Sequence, residues 1–193
     1  MVISTHTPDV TQIYLSGGWS QGKPVESLHR LTVTVEETCV TREWEMLAEM
    51  PQGRHAHGFV ASPGGECLYV VGGYCRKALR SCCRYGVGEG RWSEIADLPV
   101  AVTGNGLFCH YSERDLERYC VGSVGNGCAA QGGFLVYNVG MESLEFALGE
   151  WSYVNLELGF KSQGQYTQVC QLNNDEALVV LNNKKVYSLK MGK

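Results

Sequence analysis

Residues 50–92 hold the stretch that decides the fold: Met50-Pro51-Gln52-Gly53-Arg54-His55-Ala56-His57-Gly58-Phe59-Val60, a turn at Pro63-Gly64-Gly65, the run Leu68-Tyr69-Val70-Val71-Gly72-Gly73, then Cys83-Arg84-Tyr85 and Trp92. The apolar runs have strand length, and the Gly and Pro clusters between them are turn chemistry. Paired glycines after a buried strand admit neighbouring backbone where a side chain would not fit. Tyr85 and Trp92 fall on two strands of one hairpin, where they can fill the space between adjacent sheets.

The same order recurs on both sides. Upstream, Ile13-Tyr14-Leu15-Ser16-Gly17-Gly18 leads to Leu28-His29-Arg30-Leu31-Thr32-Val33 and Trp44. Downstream, Leu98-Pro99 opens a unit with Tyr119-Cys120-Val121-Gly122-Ser123, Phe134-Leu135-Val136-Tyr137 and Trp151. A last unit holds Tyr166-Thr167-Gln168-Val169, Ala177-Leu178-Val179-Val180-Leu181-Asn182-Asn183 and Val186-Tyr187-Ser188-Leu189. Trp44, Trp92 and Trp151 stand 48 and 59 residues apart, which brackets a repeat of roughly 50 residues. Helical periodicity is nearly absent. The reading is all-β, with antiparallel strands expected at 12–18, 28–34, 56–61, 67–72, 81–86, 118–123, 133–138, 166–171, 177–181 and 185–189.

Over residues 11 to 189 these units resemble the kelch-repeat family. One domain, 1–193, divides into approximate repeats 11–45, 46–93, 94–152 and 153–193. Gly17, Gly18, Trp44, Gly72, Gly73, Tyr85, Trp92, Tyr137 and Trp151 occupy the structural positions of the repeat, and Trp92 is expected largely buried between blades. Gly122-Ser123 and Asn182-Asn183 replace the glycine doublet, and Leu31 stands about where a Tyr is expected. The resemblance implies four-stranded antiparallel sheets set radially as blades of a β-propeller, usually about six or seven of them. Here the first unit reads without its innermost strand and the last without its outermost. The ring is therefore incomplete: the chain is a fragment, or another chain completes the propeller.

Hydrophobic residues make up 44% and charged residues 19%, which excludes a disordered chain. Glycine is in excess, at 24 residues, which suits a fold of many tight turns. The net charge of −4 argues against nucleic-acid binding, and no apolar run is long enough for a membrane helix. The start, Met1-Val2-Ile3-Ser4-Thr5-His6, lacks the regions of a signal peptide, so a cytoplasmic location is expected. Nine Cys without a C-x-x-C spacing fit reduced thiols in that compartment.

No residue is assigned to catalysis, a cofactor or a metal. His55 and His57 alternate by two and would share one strand face, but no third ligand lies near in sequence. Gly122-Ser123-Val124-Gly125-Asn126-Gly127 imitates a phosphate loop without the following helix, and no catalytic-triad signature is present.

Antiparallel connectivity sorts the loops onto two faces. The loops joining second to third strands, and those joining one blade to the next, share one face. That face collects Lys23, Arg54, Arg76, Lys77, Arg80, Lys184 and Lys185, opposed mainly by Glu26, Glu49, Glu94 and Asp97, while the opposite face is acidic, with Glu36, Glu37, Glu66, Glu89, Glu113 and Asp115 among its residues and Arg114 the clearest counter-charge. An interaction surface is expected at Arg54, Tyr74, Arg76, Lys77, Arg80 and Lys184, taking a protein or acidic peptide segment. The chain thus reads as a protein-interaction module: a scaffold, or the substrate-recognition part of an adaptor. The alternative is an enzyme, because the family includes a carbohydrate oxidase and a sialic-acid mutarotase. Fold alone does not license that assignment.

Overall fold

The computed structural model describes residues 1–112, 115–126, 133–141, 147–155, 167–174, 176–181 and 186–190. Among them there is no helix, and four antiparallel sheets follow one another as blades. The first blade is Val2–His6, Val10–Ser16, Leu28–Val35 and Val40–Met46. The second is Gly58–Ala61, Cys67–Val71, Cys82–Gly86 and Arg91–Ile95. Thr103–Ser112, Asp115–Asn126, Gly133–Asn138 and Trp151–Asn155 form the third. The fourth has Thr167–Gln171, Glu176–Leu181 and Val186–Lys190. The first strands of all four blades line a common cavity of about 880 Å³.

The expectation that the first blade lacks its innermost strand is corrected. Val2–His6 supplies it, in register with the second strand from Val2 opposite Leu15 to His6 opposite Thr11. Three of its five residues, Val2, Ile3 and Thr5, are β-branched, so it carries a strand signal although it is too short for an apolar run.

In the second and third blades the interior strands bury both faces, and adjacent residues go to opposite seams. Val70 packs with Tyr14, Leu28, Phe59 and Tyr85 in the first seam. Val71 packs with Leu107, Tyr119, Val121 and Leu135 in the second. Phe108, Phe134 and Val136 meet Val179 and Leu189 in the third.

Two backbone-directed ties recur at the seams. The doublets lean on the next blade: the Gly18 N–H donates to the Arg54 carbonyl at 2.9 Å, and the Gly73 N–H to the Val102 carbonyl at 2.8 Å. The outer tryptophans reach back. Trp92 Nε1 donates to the Ala48 carbonyl at 2.8 Å and Trp151 Nε1 to the Ala96 carbonyl at 2.9 Å, each acceptor lying four residues past the preceding Trp. Tyr85 is buried as expected of its position, but Trp92 is only half-buried, because its indole crosses the rim of the seam to reach that carbonyl. Trp44, expected to fill an interblade position, is 60% exposed, since no blade among the described residues covers its side of the first sheet.

Cys82, Cys83, Cys109 and Cys120 are free and buried, and burial pushes all four thiols up, Cys82 to about 12 and Cys83 and Cys120 to about 11. They serve as small apolar side chains.

Candidate functional site

The basic loop face is built from two miniature ribbons and one crossing segment. In the first blade, Trp19–Ser20 pairs with Lys23–Pro24 around a turn at Gln21 and Gly22, both at positive φ. In the second blade, Tyr74–Cys75 folds back on Lys77–Ala78 around Arg76, whose φ is +62°. Between them runs the connection from the first blade to the second. His55 on that connection donates its N–H to the Tyr74 carbonyl at 3.2 Å and accepts the Tyr74 N–H at 2.8 Å.

These bonds bring three rings together. Trp19 meets His55 edge-on with centroids 5.1 Å apart, and His55 meets Tyr74 at 5.4 Å. Trp19 remains 59% exposed and Tyr74 37%, so the cluster is a surface and not a core. Gln21, Ala56 and Arg76 are the only non-glycine residues at positive φ among the described residues, and each lies within two positions of one of the three rings. A left-handed non-glycine residue costs roughly 1–2 kcal/mol, and such outliers gather at ligand clamps.

Lys23, Arg76, Lys77 and Arg80 are exposed around this cluster. The ion pairs among the described residues join Arg30 to Glu45 and both Arg84 and Arg91 to Glu89, so none of these four cations is neutralised by a carboxylate there. Arg80 is steadied by its Nε, which donates to the Leu98 carbonyl at 2.6 Å.

The expected surface residues divide. Tyr74, Arg76, Lys77 and Arg80 lie on or beside one ribbon. Lys184 lies outside the described residues. Arg54 is corrected: it is 2% exposed and belongs to the seam. Its Nη1 donates to the carbonyls of Gly72 and Ser81, both at 2.9 Å, and its Nη2 to Ser81 Oγ at 3.1 Å. A buried guanidinium among carbonyls is tolerable because its donors are matched to acceptors.

The shared strand face expected of His55 and His57 is also corrected. Ala56 at φ +51° breaks the alternation, and the strand begins only at Gly58. His55 turns to the aromatic cluster, whereas His57 is 1% exposed with Nε2 2.8 Å from Ser16 Oγ. Among the described residues, no three His, Cys, Asp or Glu side chains gather into a metal-binding group.

Sequence reasoning missed Trp19 and the role of His55. The signal was present in the repeat register. Trp19 follows Gly17-Gly18 at the position where Tyr74 follows Gly72-Gly73.

Comparison with known proteins adds to this geometry. No family model matches the chain. The Kelch repeat and BTB domain-containing protein 4 of Homo sapiens and that of Mus musculus are each 36% identical over 66 residues, covering 33% of this chain and 12% of theirs. The match thus spans about an eighth of those relatives. The solved structure of YjhT superposes on 100% of this chain and 61% of its own, with a TM-score of 0.64 at 15% identity. That likeness concerns the fold.

Proposed function

We propose that this chain, a kelch-repeat β-propeller, is a protein-interaction module that docks an acidic segment of a partner on the Trp19–His55–Tyr74 face. The observation that carries this reading is the exposed aromatic cluster, held by backbone bonds and flanked by Lys23, Arg76, Lys77 and Arg80, which have no carboxylate partners among the described residues. Trp, Tyr and Arg are the residue types that dominate interface energetics when a partner desolvates them. Left-handed turns at Gln21 and Arg76 set the side chains before binding, which lowers the ordering cost of association. The cations add steering of a negative segment.

An array of Asp/Glu-rich peptides against their Asn/Gln counterparts tests it. Acidic peptides bind and weaken as salt rises, because screening acts over about 8 Å at physiological ionic strength. Reversing Arg76, Lys77 and Arg80 to Glu removes that binding, and Trp19→Ala with Tyr74→Ala weakens it by about tenfold or more, some 1.4 kcal/mol. Reversing Glu36, Glu37 and Glu66 on the opposite face leaves it unchanged. Equal binding of amide and acidic peptides, or an unaffected charge-reversal variant, would sink the reading.

A further inference from the structure

The rim tryptophans commit their indole N–H to backbone: Trp92 Nε1 donates to the Ala48 carbonyl and Trp151 Nε1 to the Ala96 carbonyl. Trp19 does not. Its indole N–H and the Tyr74 hydroxyl have no hydrogen-bond partner among the described residues, and both rings stand in solvent. The cations beside them, Lys23, Arg76, Lys77 and Arg80, are donors as well, since ammonium and guanidinium groups accept no hydrogen bond. The groups that flank the rings are thus chiefly donors.

Backbone pairing at the rings is already taken. The Tyr74 N–H and carbonyl are both engaged with His55, and on its other side Tyr74–Cys75 pairs with Lys77–Ala78. Trp19 pairs with Pro24, which has no N–H. A partner segment is consequently held by side chains and not as an added strand. Trp19 and Tyr74 flank His55 at 5.1 and 5.4 Å, so the outer rings lie within about 10 Å of each other, near the ~9 Å three-residue repeat of a polyproline II helix. Such a segment makes no internal hydrogen bonds and turns its carbonyls outward. A proline within it has no N–H to leave unmatched against a face of donors.

Building on acidic docking at this face, we infer that the bound segment carries prolines beside its carboxylates and lies as a polyproline II helix across Trp19 and Tyr74. Proline rings stack on the two aromatics, and the segment's carbonyls accept from the Trp19 indole and the Tyr74 hydroxyl. Its carboxylates meet Arg76, Lys77 and Arg80. Left-handed turns at Gln21 and Arg76 set the rings while the ligand itself is stiff, so little ordering opposes the contact.

Fluorescence polarisation with the full chain and four labelled peptides reads this directly: one with Asp and Pro together, one with each Pro replaced by Ala, one with each Asp replaced by Asn, and one with both replacements. The Asp–Pro peptide is expected to bind tightest, and the Ala replacement to weaken it about tenfold. Trp19→Ala with Tyr74→Ala removes that Pro-over-Ala difference, and Trp19→Phe, which keeps a ring and loses the donor, narrows it. Both side chains are exposed, so the variants melt as the parent does. Arg76→Glu with Lys77→Glu lowers the affinity of both acidic peptides and leaves their ratio as it was. Equal binding of the Asp–Pro and Asp–Ala peptides overturns the inference while acidic docking stands. A Pro preference unchanged by the Trp19 and Tyr74 variants also overturns it, because the gain would then come from peptide stiffness alone. Asp peptides that bind no better than their Asn counterparts sink acidic docking itself, and the proline contact with it.

Discussion

His57 Nε2 lies 2.8 Å from the Ser16 hydroxyl, and both side chains are 1% exposed in the seam between the first two blades. A histidine at the start of one blade is thus locked to the strand end of its neighbour, 41 residues away. The site tolerates only the neutral ring. Burial, then the positive chain terminus, Arg54 and His55, push its pKa from an ordinary 6.5 down to about 3.

The sign of the pH dependence follows. Between those two values the unfolded chain binds a proton that the folded chain does not, so stability rises with pH. The contribution is complete above about 6.5 and is lost as pH falls toward 3. The slope from one such group is at most about 1.4 kcal/mol per pH unit. Urea melts at about pH 7 and pH 5 should differ by roughly 2 kcal/mol in the parent, and by clearly less in His57→Gln. An identical pH dependence in both proteins would show that His57 is not the titrating group.

Arg54 joins the connection between blades to the carbonyls of Gly72 and Ser81. Arg54→Met keeps much of the volume but leaves those acceptors buried without donors. The expected loss is about 3 kcal/mol, which lowers the melting temperature of a chain this size by roughly 6–12 °C. The variant should leave acidic-peptide affinity unchanged at temperatures where it is folded. Lost affinity in a fully folded Arg54→Met protein would return this residue to the binding face.

Gly73 and Gly18 separate crowding from backbone conformation. Both have positive φ, +101° and +125°. A Cβ on Gly73 would lie 2.7 Å from His57 Cβ and 2.9 Å from the His55 carbonyl, whereas one on Gly18 meets nothing within 4 Å. Gly18→Ala should cost about 1–2 kcal/mol from conformation alone. Gly73→Ala adds a seam clash of roughly 1–3 kcal/mol, so its thermal melt should be the lower of the two by several degrees. Equal melting temperatures would mean that the His55–His57 segment gives way freely at this point.

The rim tryptophans offer a graded test of the seams. Trp92→Phe keeps an aromatic against Tyr85 but removes the donor to Ala48, a loss of about 1 kcal/mol. Trp92→Ala also gives up the ring and should cost about 3 kcal/mol. Trp44→Phe, with its side chain exposed, should be nearly neutral in the isolated chain. Chemical denaturation ranks the three directly, and a Trp44→Phe loss matching Trp92→Phe would mean that Trp44 already has a seam partner.

Much of the architecture was legible before any coordinates. Short alternating runs, turn glycines and the Trp spacing determined a chain of antiparallel blades, because strand period and turn chemistry are local properties. The doublets Gly17-Gly18 and Gly72-Gly73 were likewise readable as close backbone approaches, and the structure supplies the atoms approached, Arg54 and Val102. Connectivity also grouped Tyr74, Arg76, Lys77 and Arg80, since loop order in an antiparallel sheet fixes the side on which each loop emerges.

Tertiary structure alone decided the rest. Whether a cation faces water or a seam depends on which carbonyls a neighbouring blade brings within reach. Arg54 therefore became a structural tie, while Arg76, a residue of the same type, stayed exposed. One left-handed residue, Ala56, sent His55 outward and His57 inward, against the alternation that a continuous strand would impose. Trp44 and Trp92 stand in equivalent repeat positions, yet among the described residues only Trp92 has a blade in front of it. The sequence by itself determined which segments become strands and where the chain turns. Burial of a particular side chain was decided across tens of residues, by packing between sheets that no local pattern records.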